Sequence, residues 1–292
     1  LILVSSGETV SMGSAMDLLL IGNGYLGQAV TRVFRAGGWQ VTPVSLAGGD
    51  GCLACDVADA AAVNRLPRAD CIVHCAASGR GGADSYQRVY VEGCRNLTAA
   101  FPGVPLCFTS STSVYAQTDG SWVTEQSEAL PERETGRLLL EAERFVLGAG
   151  GWVCRLAGIY GPGRSVILGK FLAGEAVIEG GGGRFLNQIH RDDAARAIHH
   201  LVTSGAGGGV FNVSDSQPLS QLACYEALSS MFALPLPPGG PRDPARKRGW
   251  THKQVANAKL RATGWQPVFP SFLDAVPTIA NTLDGNKPAA WL

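Results

Sequence analysis

Along the first half of the chain apolar and polar positions follow two alternating periods, and the switching between them outlines a fold. Short apolar runs at 17–21, 40–45, 70–74, 104–109 and 151–156 read as strands buried on both faces. Between them, residues 58–66, 83–101 and 132–147 repeat their apolar positions at helical spacing. In the last segment Leu139, Ala142, Phe145 and Val146 share one face. Strand and helix in alternation predict a parallel sheet with right-handed crossovers, hence an α/β protein. At 292 residues, the chain is long enough for one such domain with an appended lobe.

The first strand, Asp17-Leu18-Leu19-Leu20-Ile21, runs directly into Gly22-Asn23-Gly24-Tyr25-Leu26-Gly27, and an apolar-periodic helix follows. A strand, a tight glycine turn and a helix N-terminus are what a dinucleotide's pyrophosphate requires. Gly22 permits the turn, Gly24 lets the backbone approach the phosphates, and Gly27 lets helix and sheet pack closely. The expected architecture is therefore a Rossmann-type doubly wound parallel sheet, in which ligands lie beyond the carboxyl ends of the strands.

Those ends carry the candidate chemistry. His74-Cys75-Ala76-Ala77-Ser78-Gly79 follows the third strand, Ser110-Ser111-Thr112-Ser113-Val114-Tyr115 the fourth, and Ala157-Gly158-Ile159-Tyr160-Gly161-Pro162-Gly163-Arg164 the fifth. Small residues admit a cofactor, and hydroxyls can bond its ribose or a substrate carbonyl. Ordinary turn chemistry uses the same residue types, so the clusters count mainly because three successive strand ends share them.

Charge narrows the partners. With 24 basic and 24 acidic residues the formal net charge is zero, which offers no field to nucleic acid or to an anionic membrane. The basic stretch 242–248 is short and interrupted by proline, and reads as a solvated loop. A small-molecule substrate is the expected partner. Eight cysteines, mostly inside expected strands and helices, read as reduced core thiols of a cytoplasmic protein. Cys52 and Cys55 have CxxC spacing without a second pair, so no metal site is expected. No apolar run reaches membrane-spanning length, and residues 1–16, which lack the charged start of a signal peptide, are read as an extension outside the fold.

The assembled motifs resemble the extended short-chain dehydrogenase/reductases of the NAD-dependent epimerase/dehydratase group, over residues 17 to about 280. The resemblance rests on the 22–27 loop, Cys55-Asp56-Val57, 74–77, 90–97, 110–115, 155–163 and Asn187-Gln188-Ile189-His190-Arg191-Asp192-Asp193, with 257–260 and 264–267 as a closing segment. It implies an NAD(P)-binding domain over 17–164 and, over 165–292, mainly a smaller C-terminal substrate lobe, part of the chain returning to the core. It implies NAD or NADP held by Gly22, Asn23, Gly24, Tyr25, Leu26, Gly27, Ser45, Asp56, Val57, Cys75, Ala76, Ala77, Ser110, Ala157, Gly158 and Ile159, with Asp56 on the adenine amino group. Ser111 would bond the reacting oxygen. By the same resemblance, the helices at 83–101 and 132–147 would pair two copies into a homodimer.

The chain departs from that family at its chemical centre. Relatives carry Tyr, and four residues later Lys, at the start of the helix after the serine cluster; the Lys lowers the Tyr pKa for proton exchange. Here the aligned run is Thr135-Gly136-Arg137-Leu138-Leu139-Leu140-Glu141-Ala142-Glu143, so Thr135 and Leu139 stand in those places. Tyr90 replaces a usual Asn, Ile21 an early Gly, and Thr112 and Ser113 the acidic residues of sugar-nucleotide dehydratases. Candidates for the missing proton donor are Tyr115, then His190, then Tyr160; Tyr160, Arg164 and Arg191 are candidates for holding substrate. No acid ends the second strand, so NAD and NADP are not distinguished. The reading that follows is an atypical NAD(P)-dependent oxidoreductase acting on a small carbonyl or imine. The alternatives are a non-catalytic dinucleotide-binding sensor or scaffold, and a redox-neutral isomerase or lyase.

Overall fold

The computed structural model describes residues 15–79, 81–242 and 251–283. The stretch 243–248 and residues 1–14 of the N-terminal extension lie outside the described residues. Seven parallel strands form the central sheet: β1 (Asp17–Ile21), β2 (Gln40–Ser45), β3 (Leu53–Ala54), β4 (Cys71–His74), β5 (Leu106–Ser111), β6 (Trp152–Leu156) and β7 (Gly209–Val213). Their spatial order is β7-β6-β5-β4-β1-β2-β3. The chain leaves β1 toward β2 and β3, then crosses back to β4 on the other side. The gap between β1 and β4 is thus the switch point at which such sheets receive ligands.

The flanking helices are α1 (Tyr25–Ala36), α2 (83–100), α3 (Glu134–Gly148) and α4 (Arg191–Thr203). Alternate residues of β1 face opposite layers, as strand geometry requires. Leu18 and Leu20 pack with Val30 and Phe34 of α1 and Ile198 of α4, whereas Leu19 and Ile21 pack with Leu97 of α2 and Val146 of α3. The described fold starts before the expected boundary, because the Met16 carbonyl already accepts the Gln40 N–H at 2.9 Å. Within α2, residues Gln87–Glu92 form π-helical turns, and the Val89 carbonyl lies 2.9 Å from Nε2 of His74.

Two further differences from the sequence reading matter for the site. β5 continues through Ser110 and Ser111, which pair in register with Arg155 and Leu156 of β6, so both serines are strand residues. On α3, Leu139, Ala142 and Val146 are buried as expected, Phe145 is half-buried, and the charged Glu143 is buried beside them. A separate apolar cluster gathers Tyr160, Leu168 and Phe171 with α5 (Gln221–Phe232) and α6 (Phe272–Ile279).

Candidate active site

Local sterics shape the glycine loop. Gly22 has φ +96°, and a Cβ there would overlap the Ala76 backbone; a Cβ on Gly27 would overlap the Gly22 carbonyl. Gly24 differs from both, since no atom lies within 4 Å of where its Cβ would stand and its φ is −81°. Two glycines therefore serve the fold, and Gly24 leaves open space at the N-terminus of α1, where free N–H groups and the helix dipole favour an anion. The Cys75 N–H donates to Ile21 O at 2.8 Å and its thiol to Gly22 O at 3.4 Å, which binds the loop after β4 to the glycine loop.

Most of the remaining expected cofactor residues stand at the same carboxyl ends of the strands. Asn23 donates to the Cys52 thiol at 3.3 Å, and Ser45, at the end of β2, donates to Gly48 O at 3.4 Å. Asp56 accepts the Ala58 N–H at 3.0 Å and pairs with Arg88 at 2.6 Å, while Val57 is buried beneath it. Ala76 is half-buried and Ala77 exposed. Ala157 is anchored by its N–H to Val213 O at 3.0 Å, and Gly158 and Ile159 pair in parallel with Gln188 and Ile189. Ser110 turns away from this edge, donating to Glu143 at 2.6 Å inside the sheet–helix layer. Its side chain is thereby engaged elsewhere, contrary to the expected hydroxyl contact with a cofactor.

Residues 16–175 match the RmlD substrate binding domain family. The chain belongs to that family. It is 30% identical over 241 residues to Protein YeeZ of Escherichia coli (strain K12), covering 75% of this chain and 84% of that one. Among solved structures, a protein assigned as an NAD-dependent epimerase/dehydratase from Methylobacillus flagellatus is 28% identical with a TM-score of 0.75, over 92% of this chain and 98% of that chain. The fold also matches human epimerase family protein SDR39U1, solved with NADPH, at 22% identity and a TM-score of 0.77, over 92% of this chain and 100% of the other. The resemblance to the epimerase/dehydratase group and the doubly wound α/β fold both hold.

Against the background of the RmlD family the catalytic candidates separate. Ser111 is half-buried at the end of β5; its Oγ accepts the Ser113 N–H at 3.2 Å and its own proton has no partner among the described residues. Tyr115 is at odds with the expected role of proton donor. It is fully buried, its hydroxyl donates to Asn212 at 2.9 Å and accepts from Arg155 at 2.9 Å, and burial raises its pKa despite that arginine. Arg155 in turn clamps Glu143 through Nη2 at 2.7 Å and Nε at 3.1 Å. Ser110, Glu143, Arg155, Tyr115 and Asn212 thus form one buried polar chain joining β5, α3, β6 and β7.

His190 is also buried, with Nδ1 accepting the Asp192 N–H at 3.2 Å, so the neutral ring carries its proton on Nε2. Nε2 has no partner among the described residues, and burial lowers the ring's pKa. Tyr160 packs edge-on against His190 with centroids 5.4 Å apart; its buried hydroxyl is likewise without a partner, and burial raises its pKa. Arg164 and Arg191 stack over the ring of Tyr25 at 5.1 and 4.9 Å, beside the start of α1. Their guanidinium groups therefore stand near the glycine loop, with Arg191 also paired to Asp192 at 2.8 Å.

At the departures from the family pattern, Thr135 is half-buried in the first turn of α3 and Leu139 is a core residue, 3% exposed. One group escaped the sequence reading altogether. Lys253 is 4% exposed, and its Nζ donates to the Tyr115 carbonyl at 2.7 Å and to Thr251 Oγ1 at 3.1 Å. Burial, with Arg184 nearby, lowers its pKa to about 8. A lone Lys in a polar run carries no periodic signal, and only the tertiary fold brings it against the loop after β5. Among the described residues no cluster of His, Cys, Asp and Glu is arranged for a metal ion, and no helix is long and apolar enough to cross a membrane.

Proposed function

We propose that this RmlD-family protein binds NAD or NADP along the carboxyl edge of the sheet and transfers hydride between the nicotinamide and a small carbonyl or imine substrate. The observation that carries the reading is the open space at Gly24, at the N-terminus of α1 and beside the β1–β4 switch point. The bound dinucleotide would supply the hydride. Gly22 to Gly27 and the α1 amides would hold its pyrophosphate, Asp56 and Val57 its adenine, and Ala157 to Ile159 its nicotinamide end. The stacked pair Arg164 and Arg191 adds positive charge at the phosphate end of this cradle.

Ser111 is the residue assigned to orient the reacting oxygen, because its proton is uncommitted at the end of β5. Tyr115 is assigned instead to the buried polar chain. With Thr135 and Leu139 in the Tyr and Lys places, the final proton comes from water at the Ser111 hydroxyl. Reduction suits this site better than oxidation of an alcohol, because reduction does not require a base to remove a hydroxyl proton. The test is single-turnover consumption of bound NADH or NADPH across a panel of small ketones, aldehydes and imines. Oxidation of the cofactor by one member, lost in S111A, supports the assignment; no oxidation with any member opposes it. A second reading, a dinucleotide-binding protein without turnover, is favoured by the packing of Leu139 into the core and would be adopted on that negative result.

A further inference from the structure

A buried ammonium group is normally matched by a carboxylate, and Lys253 is not. Both of its acceptors, the Tyr115 carbonyl and Thr251 Oγ1, are neutral oxygens, and among the described residues no acidic side chain pairs with it. The third N–H of the ammonium is uncommitted. The charge that acts on it, Arg184, is a second cation and lowers its pKa further. Nearby, His252 stacks on Phe185 with centroids 5.4 Å apart and accepts the Phe185 N–H at Nδ1, so it offers no negative charge either. Uncompensated positive charge in a desolvated position destabilises the empty protein and is relieved when an anion arrives.

The place is informative. Tyr115 immediately follows the turn 112–114 that Ser111 caps, so Nζ abuts the segment carrying Ser111. The Lys253 carbonyl accepts from Asn187 at 2.9 Å, and the Asn187 carbonyl accepts the Gly158 N–H at 3.0 Å. Lys253 is therefore held between the segments that follow β5 and β6, where the nicotinamide end of the cofactor and the substrate would meet. We infer that Lys253 is the anchor for an oxyanion group of the substrate, so that the protein acts on a carboxylate- or phosphate-bearing carbonyl or imine. This inference rests on assigning the same cleft to carbonyl or imine chemistry, but binding of the anion does not require turnover.

The experiment is calorimetric titration of the full chain with oxalate and, separately, with inorganic phosphate, at constant ionic strength, with and without NADPH. One of the two anions binds the wild type, K253M weakens it by at least about tenfold, and K253R stays within about threefold. The anion that binds tells a carboxylate from a phosphate substrate. Thermal unfolding of each variant is recorded in parallel; if K253M does not fold, K253Q takes its place. Absence of binding by both anions at tens of millimolar, or equal affinity in a folded K253M, overturns the inference. NADPH binding without anion binding leaves the cofactor assignment standing and removes this one, and the reverse result does the opposite.

Discussion

Replacing Gly24 with alanine separates cofactor binding from folding. The residue has φ −81° and ψ −155°, which any L-residue adopts, and its Cβ would meet no atom within 4 Å. Loss of glycine's unfolded-state freedom stabilises by about 0.4–1 kcal/mol. Alanine is a poorer helix N-cap than glycine by a similar few tenths to about 1 kcal/mol, so the net change in stability is expected within about 0.5 kcal/mol of zero. The methyl group, however, fills the space through which a pyrophosphate reaches the α1 amides. Loss of one charge-assisted hydrogen bond costs about 1.5–3 kcal/mol, a weakening of roughly ten- to a hundredfold in Kd. NADH and NADPH fluorescence titrations, together with thermal unfolding with and without dinucleotide, read both quantities. A folded G24A protein with wild-type affinity would refute the placement of the phosphates over this loop.

Y115F leaves Arg155 Nη1 and Asn212 Oδ1 each without the Tyr115 hydroxyl they bond, and is expected to destabilise by about 1–3 kcal/mol in denaturant unfolding while dinucleotide affinity is unchanged. E143A removes the partner of buried Arg155 and should cost about 3–5 kcal/mol by the same measurement, the largest loss of these variants. L139K, which restores the family's lysine, places a charge in the core and should lower the unfolding temperature rather than create activity. Lys253 has a folded pKa of about 8 against an ordinary 10.5, so between those values the unfolded state binds more protons and this residue's contribution to stability rises with pH. The stability gap between K253M and wild type is therefore expected to shift toward wild type by about 3 kcal/mol from pH 7 to 10.5; a pH-independent gap would show that Lys253 keeps an ordinary pKa.

The fold was legible wherever period and turn chemistry agreed. β1 and β2 fall at their expected residues, and the glycine loop is built as its sequence implies, because local sterics dictate each step. The seventh strand, Gly209–Val213, was not anticipated, since it is short and is held by pairing with β6, a partner more than fifty residues earlier. The composition of Ser110 and Ser111 suits a loop, yet pairing with β6 carries β5 through them. The site was less legible than the sheet. Sequence places Tyr115 close to Ser111, but the chain turns it inward onto Arg155, whose own burial depends on Glu143 from another element. Lys253 could not be assigned from spacing, because the carbonyl that holds it belongs to Tyr115, far away along the chain.

The central claim is that the loop at Gly22 to Gly27 holds a nicotinamide dinucleotide, and separate titrations of the full chain with NADH and NADPH test it most directly. Saturable, one-to-one binding of at least one of them, accompanied by a rise in unfolding temperature and weakened in G24A, is the expected result. No saturable binding of either dinucleotide to folded protein would contradict the account.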